Sequence, residues 1–128
     1  MKKITAIVRE DRLAMIKDAL SDIGYPGMTV TEVKGHGKQK GVTEQWRGRT
    51  YKTDFIKKIQ LEMVVSDKDV EKIIQYIVKE AKTGNIGDGK IFINPIKNVI
   101  RIRTGERGRE ALSYEGDIDT RHAATVKA

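Results

Sequence analysis

Seven consecutive residues, Gly84-Asn85-Ile86-Gly87-Asp88-Gly89-Lys90, have the composition of an anion cradle. Gly84 and Gly89 flank four residues and Lys90 follows, which satisfies the first seven positions of the phosphate-loop pattern G-x-x-x-x-G-K-[ST]. The eighth position fails. Ile91 stands where a hydroxyl would hold Mg²⁺, and the segment leads from a predicted helix into a predicted strand, the reverse of the strand-to-helix context the motif needs. A P-loop nucleoside triphosphatase is thereby excluded. What survives is the chemistry: glycines let backbone N–H groups turn toward an anion, and a lysine ammonium stands beside them. The bland alternative is an ordinary helix-to-strand turn.

Three other groupings carry charge in a pattern. Arg101 and Arg103 are two apart, so on a strand their guanidinium groups project from one face. Like charges side by side raise each other's energy until something anionic offsets them, and arginine forks match phosphate oxygens; a solvated strand end is the simpler reading. Gly35 and Gly37 are followed by Lys38, Gln39 and Lys40, while Lys57 and Lys58 stand at the other root of the same segment. Cations at both roots repel, so an anion bound between them would order what lies between; solvated lysines are the alternative. Within that segment Trp46 lies beside Arg47 and Arg49, with Tyr51 close by, the residue types that dominate interface hot spots. Packing of Trp46 back on the body is the plainer outcome. His36 and His122 have no acidic or histidine neighbour in sequence, and no Ser-His-Asp or paired-carboxylate arrangement stands out, so no enzymatic activity is expected.

The composition bounds what can position these groups. A chain of 128 residues with 38% hydrophobic and 34% charged positions fits one compact domain. The absence of cysteine excludes a disulfide framework and thiolate zinc sites. No apolar run approaches the roughly 20 residues needed to cross a bilayer, and Arg9 interrupts MKKITAIV before a signal-peptide core can form. The expectation is a soluble, cytoplasmic protein. The net charge of +7 is concentrated: residues 34–58 hold eight Lys/Arg against Glu44 and Asp54, and residues 90–109 hold six against Glu106. Nucleic acid, small phosphorylated ligands and acidic partners all satisfy such a field, so charge alone does not choose among them.

Periodicity supplies the elements. Ile4, Ala6 and Val8 alternate with Lys3 and Thr5 in a strand over residues 2–9. Leu13, Ile16, Leu20 and Ile23 mark a helix from near Asp11, stopped by Gly24-Tyr25-Pro26-Gly27. Met28 to Lys34 reads as a second strand, and residues 37–56, without sustained period, as a long exposed loop, a length that itself points to binding. Ile59, Leu61, Met63 and Val65 form a third strand, Ser66-Asp67 offers capping chemistry, and Val70, Ile73, Ile74, Ile77, Val78 and Ala81 define the clearest helix. Ile91 to Ile93 and, past Asn94-Pro95, Val99 to Arg103 read as the last strand. The order β-α-β, loop, β-α-β predicts an α+β ferredoxin-like split βαβ fold with two helices on one face of an antiparallel sheet. Ile7 and Val64 fall on the opposite register, which suggests an oligomer burying the second face.

Several long strings in order, MTVTEVKGHGKQKG at 28–41, RGRTY at 47–51, TGNIGDGKIF at 83–92 and VIRIRTGE at 99–106, closely resemble the PII nitrogen-regulatory signal-transduction family. The match covers residues 1–109 as one domain, with residues 37–56 as the family's T-loop and 110–128 as an acidic tail whose composition suggests disorder. The resemblance implies a homotrimer that senses ATP or ADP in clefts between subunits. Gly87, Asp88, Gly89 and Lys90 would hold phosphates, with Arg101 and Arg103 adding charge. Ile7, Thr29 and Val64 would line the adenine site, and Gly35, Gly37, Lys38 and Gln39 would border the nucleotide. Mg²⁺ would bridge ATP to 2-oxoglutarate, with Gln39 reaching the metal; Gly37, Gln39, Lys40, Gly41 and Gly87 would surround the acid, and Lys58 would pair with its carboxylate.

By the same resemblance the T-loop would dock on a target, and the hot-spot residue types Trp46, Arg47, Arg49 and Tyr51 are its expected contacts. The favoured target is an ammonium transporter at the cytoplasmic membrane face, reached by Arg47; a nitrogen-metabolism enzyme, or a PII-like response to another metabolite, is the runner-up. Tyr51 matches a tyrosine uridylylated in some members, whereas Arg49 replaces a serine phosphorylated in others. Two departures stand out: Lys38 replaces a common arginine, and Glu10-Asp11 stands where many relatives carry proline and an apolar residue. An RNA-binding ferredoxin-like module is the alternative from another class, but aromatics are only 5% and the strands lack paired surface aromatics, so no direct nucleic-acid partner is expected.

Overall fold

A computed structural model describes residues 1–36, 43–46, 49–52 and 55–112. In chain order the elements are β1 (Lys2–Arg9), α1 (Leu13–Asp22), β2 (Thr29–Gly35), β3 (Thr43–Trp46), β4 (Arg49–Lys52), β5 (Ile56–Val65), α2 (Val70–Ala81) and β6 (Lys90–Pro95). Four strands form one antiparallel sheet in the order β2-β5-β1-β6. Each βαβ unit therefore skips one strand, which the other unit fills, and the result is the expected ferredoxin-like split βαβ fold.

Register follows from which face is buried. Ile4, Ala6 and Val8 stand opposite Met63, Leu61 and Ile59, and this face receives Ile16 and Leu20 of α1 and Ile73, Ile77 and Ala81 of α2. Burying each such aliphatic side chain stabilises the fold by about 1.5–3 kcal/mol. Lys3, Thr5 and Ile7 on β1, Gln60, Glu62 and Val64 on β5, and Phe92 on β6 share the other face by the same alternation. Among the described strands of this sheet, Phe92 is its one aromatic residue, which does not make the stacking platform an RNA-binding module needs.

Several expectations change. Residues 37–56 are not all irregular: β3 and β4 pair as an antiparallel ribbon, Trp46 opposite Arg49. Ladder hydrogen bonds need no apolar alternation, so a polar ribbon rich in Thr and aromatic residues escapes a periodicity reading. For the same reason β5 begins at Ile56 rather than Ile59; Lys57 and Lys58 pair with Lys34 and Val33 across the ladder. A 3₁₀ turn over Glu10–Arg12 precedes α1, and another over Asp67–Asp69 precedes α2. Ser66 makes no side-chain cap; its carbonyl accepts from the Asp69 N–H at 3.0 Å, and Asp67 turns to the Met1 amino group at 3.1 Å.

The largest correction concerns the last strand, which ends at Pro95, a residue without an N–H to extend the ladder. The Ile96 N–H donates to Met1 O at 3.0 Å, and the chain then folds on itself. Ile100 bridges Arg107, the Arg101 N–H donates to Glu106 O at 2.9 Å and the Gly105 N–H to Arg101 O at 2.7 Å. Arg101 and Arg103 thus belong to a small closed loop rather than to a sheet strand. A 3₁₀ turn over Gly108–Ala111 follows, crossing the expected start of the tail at residue 110; residues 113–128 lie outside the described residues.

Ile73 is fully enclosed, whereas Val78 on the same helix is 45% exposed. Ile73→Ala should cost about 3 kcal/mol in urea unfolding and Val78→Ala well under half of that.

Candidate functional site

Asp88 folds the segment between α2 and β6. Its carboxylate accepts from the N–H groups of Thr83 and Gly84, each at 2.8 Å, and from the Thr83 hydroxyl, and it pairs with Arg9 Nε at 3.0 Å. The Thr83 hydroxyl, then the backbone donors and Arg9, hold its pKa far below the ordinary carboxylate range. Arg9 also donates from Nη2 to Ile86 O at 2.9 Å, which fastens the loop to the end of β1. At Gly89 the loop passes directly over that strand: a Cβ there would stand 1.7 Å from Ile7 O. Asp88 therefore acts as the internal latch of the cradle, while Lys90 and Ile86 remain exposed.

Lys58 sits one ladder step away, paired with Arg9 across β1 and β5. Although it is a lysine it is only 7% exposed, and Nζ donates to Gly87 O at 2.5 Å. Burial first, then the neighbouring Arg9, pushes its pKa below the usual lysine value. Lys57 has the opposite environment: Glu10 and Glu32 each approach Nζ to 3.2 Å and raise its pKa, the Glu10 hydrogen bond contributing most. The expected pair of uncompensated lysines at the loop root is thus one externally neutralised cation and one buried cation. Gly35 packs beside Lys58, and the His36 and Phe55 rings stand with centres 5.5 Å apart.

The remaining sequence-predicted residues form a second group. Thr29 and Val64 line a cavity of about 310 Å³ together with Met28, Glu62, Ala111 and Leu112. Arg101 donates from Nη1 to Glu106 Oε1 at 2.7 Å and from Nη2 to Glu110 O at 3.3 Å, which ties its loop to the turn that supplies Ala111. The anion that the arginine pair required is thus Glu106, whose pKa is lowered by the Thr104 hydroxyl first and then by Arg101, with Arg103 also contributing. Ile7, by contrast, lies beneath Gly89 and pairs with Gln60, four residues from Val64, or roughly 13 Å along the strand. One chain brings Gly35, Ile7, Lys58 and Gly87–Lys90 together, and Thr29, Val64 and Arg101 together, but not the two groups.

Gly37, Lys38, Gln39, Lys40, Gly41 and Arg47 lie outside the described residues, as does His122; Trp46, Arg49 and Tyr51 fall on the β3–β4 ribbon. Sequence reasoning missed Arg9, which entered only as a charge interrupting an apolar run, and Glu106, which entered only in the charge balance. Position at the end of a strand facing Lys58 was the available signal for Arg9; for Glu106 none existed without the closed loop.

Gly89→Ala should cost on the order of 3 kcal/mol or more, because backbone must move; Gly84→Ala, where no atom lies within 4 Å, should cost about 1–2 kcal/mol for its positive φ alone. Parallel thermal melts compare the two. Asp88→Asn should lower the melting midpoint at pH 7. A carboxylate whose folded pKa is depressed stabilises above its unfolded value of about 3.9 and loses that contribution as pH falls toward the folded value. The gap between wild type and Asp88→Asn should therefore narrow in acid melts below that pH.

A family model described as "Nitrogen regulatory protein P-II" matches residues 1–106. Nitrogen regulatory protein P-II 2 of Methanothermobacter thermautotrophicus is 53% identical over 112 residues, covering 88% of this chain and 97% of that protein. Nitrogen regulatory protein P-II of Pasteurella multocida is 51% identical over 112 residues, covering 88% of this chain and all of the other. Among solved structures, that of Arabidopsis thaliana PII bound to citrate superposes with a TM-score of 0.72 at 41% identity, covering 91% of this chain and 93% of that one. The latched glycine loop, the buried lysine beside it and the ferredoxin-like frame that holds both are thus those of a member of the nitrogen regulatory PII family, to which this chain belongs.

Proposed function

We propose that this chain senses ATP or ADP together with 2-oxoglutarate and passes the result to a target protein through the arm at residues 37–56. The observation that carries this reading is Lys58. A lysine ammonium held almost out of water beside Arg9, with Nζ on the Gly87 carbonyl at 2.5 Å, sets a positive charge at the arm's root where its attraction for an incoming carboxylate would be little screened. The relative from Arabidopsis thaliana, solved with citrate, supports a polycarboxylate ligand.

The two separated groups of site residues support a nucleotide seated between copies. Thr29 and Val64 share a cavity with Leu112 while Ile7 lies about 13 Å away under the glycine loop, farther than one adenine ring reaches. One copy would offer Gly87–Lys90 and the other Thr29, Val64 and Arg101, as in the trimer expected from the resemblance. The described residues contain no cluster of three or more acidic or histidine side chains fit for a metal. By the resemblance Gln39 would help hold Mg²⁺ beside the nucleotide, the metal supplying charge for phosphate and carboxylate oxygens.

The target favoured is an ammonium transporter, on Arg47, and the arm's root at Lys57 and Lys58 is where ligand would be felt. No described helix is long and apolar enough to cross a membrane; the place of work proposed with that target is the cytoplasmic face of one. Regulation rather than catalysis is the role proposed.

Calorimetry tests the sensing step: 2-oxoglutarate should bind only when Mg-ATP is present, and Lys58→Ala should abolish that binding. Binding of the acid to nucleotide-free protein would refute it. A pulldown with and without Mg-ATP and 2-oxoglutarate then identifies the target; a metabolic enzyme retained in place of a transporter would replace the favoured partner.

A further inference from the structure

Two consecutive peptide units of the glycine loop have their carbonyl groups claimed by cations of the sheet. Arg9 donates from Nη2 to Ile86 O at 2.9 Å, and Lys58 donates from Nζ to Gly87 O at 2.5 Å. Arg9 and Lys58 are ladder partners on β1 and β5, so both donors rise from one cross-strand step of a rigid frame. In a trans peptide the carbonyl of one residue and the N–H of the next point in opposite directions. With the carbonyls drawn toward Arg9 and Lys58, the N–H groups of Gly87 and Asp88 turn away from them. Among the described residues nothing accepts from the Gly87 N–H. The earlier donors of the loop are spent internally: those of Thr83 and Gly84 on the Asp88 carboxylate, and that of Asn85 on the Thr83 hydroxyl.

We infer that Arg9 is a positioning residue for polyphosphate, which from behind the loop turns the Gly87 N–H outward to receive an anion and touches no phosphate itself. The inference rests on the nucleotide reading proposed above and says what gives the cradle its direction. Glycine populates both signs of φ about equally, so the backbone at Gly87 does not decide by itself which way its donor looks. Arg9 decides it by holding two points at once, Asp88 Oδ1 through Nε at 3.0 Å and Ile86 O through Nη2. The two acceptors flank Gly87, and a planar guanidinium with donors in a fixed fork sets the peptide between them. Only 20% of the arginine side chain is open to water, on the sheet side of the loop.

Two plainer roles for Arg9 make different demands. If its charge alone mattered, lysine would replace it, since an ammonium keeps the charge; but an ammonium is a point donor on a flexible stem and does not reproduce the two-point fork. If it only stabilised the fold, its loss would lower the melting midpoint and leave the affinity of folded protein for phosphate untouched. A positioning role demands that lysine fail in protein that remains folded.

Arg9→Lys in the full chain should bind tripolyphosphate, and ATP, about ten-fold more weakly than wild type by calorimetry, at a temperature where melts show both proteins folded. In heteronuclear NMR spectra of the wild type, the Gly87 amide should be among the resonances that move most when tripolyphosphate is added, and in Arg9→Lys that movement should be largely lost. The inference is overturned if folded Arg9→Lys binds as tightly as wild type, which would make charge sufficient. It is equally overturned if the wild-type Gly87 amide stays in place while tripolyphosphate binds. That second reading needs no variant, so it decides the matter even where Arg9→Lys does not fold. Wild-type protein that takes neither tripolyphosphate nor ATP would refute the nucleotide reading itself, whereas wild-type binding without loss in Arg9→Lys refutes this inference alone.

Discussion

Arg9, at the end of a buried strand, reaches Asp88 at 3.0 Å and the Ile86 carbonyl at 2.9 Å, and that reach fastens the glycine loop to the sheet. Loops rich in glycine have high conformational entropy and do not hold one shape unaided. Here the Asp88 carboxylate collects the Thr83 and Gly84 donors at one end of the loop and Arg9 from the sheet. Because the sheet is rigid, the loop inherits its position, and the Gly87 carbonyl comes to stand over Lys58.

This arrangement separates two adjacent lysines by function. Lys57 faces outward into Glu10 and Glu32 and clips the 3₁₀ turn after β1 to β2 and β5. Lys58 faces the other way, into a nearly dry site beside a second cation. A strand's alternation suffices for the separation, since consecutive side chains leave opposite faces. Glu10 thereby braces that end of the sheet with an ion pair.

At the other end of the sheet the logic is repeated with different groups. Arg101 has an internal carboxylate, and Ala111 and Leu112 from the turn that follows line the cavity of Thr29 and Val64. Both ends therefore compensate their charges within the chain, in contacts partly open to water. Such contacts contribute little net stability.

The amino-acid sequence determined the frame. Alternation in residues 2–9 and 59–65 and the 3.6-residue period of Val70 to Ala81 dictate which faces are buried, because burial is the dominant favourable term and its pattern is local in sequence. The strings at 28–41 and 83–92 determined the family. Three things were settled only in three dimensions: the pairing of polar residues 43–52 into a ribbon, the closing of 98–108 on itself in place of a strand, and the partners of the charges. Ladder hydrogen bonds carry no apolar signature, and whether Arg101 meets Glu106 or Arg9 meets Asp88, 79 residues apart, depends on where the backbone returns. Charge identity is written in the chain; charge compensation is a distance, and distance exists only once the fold does.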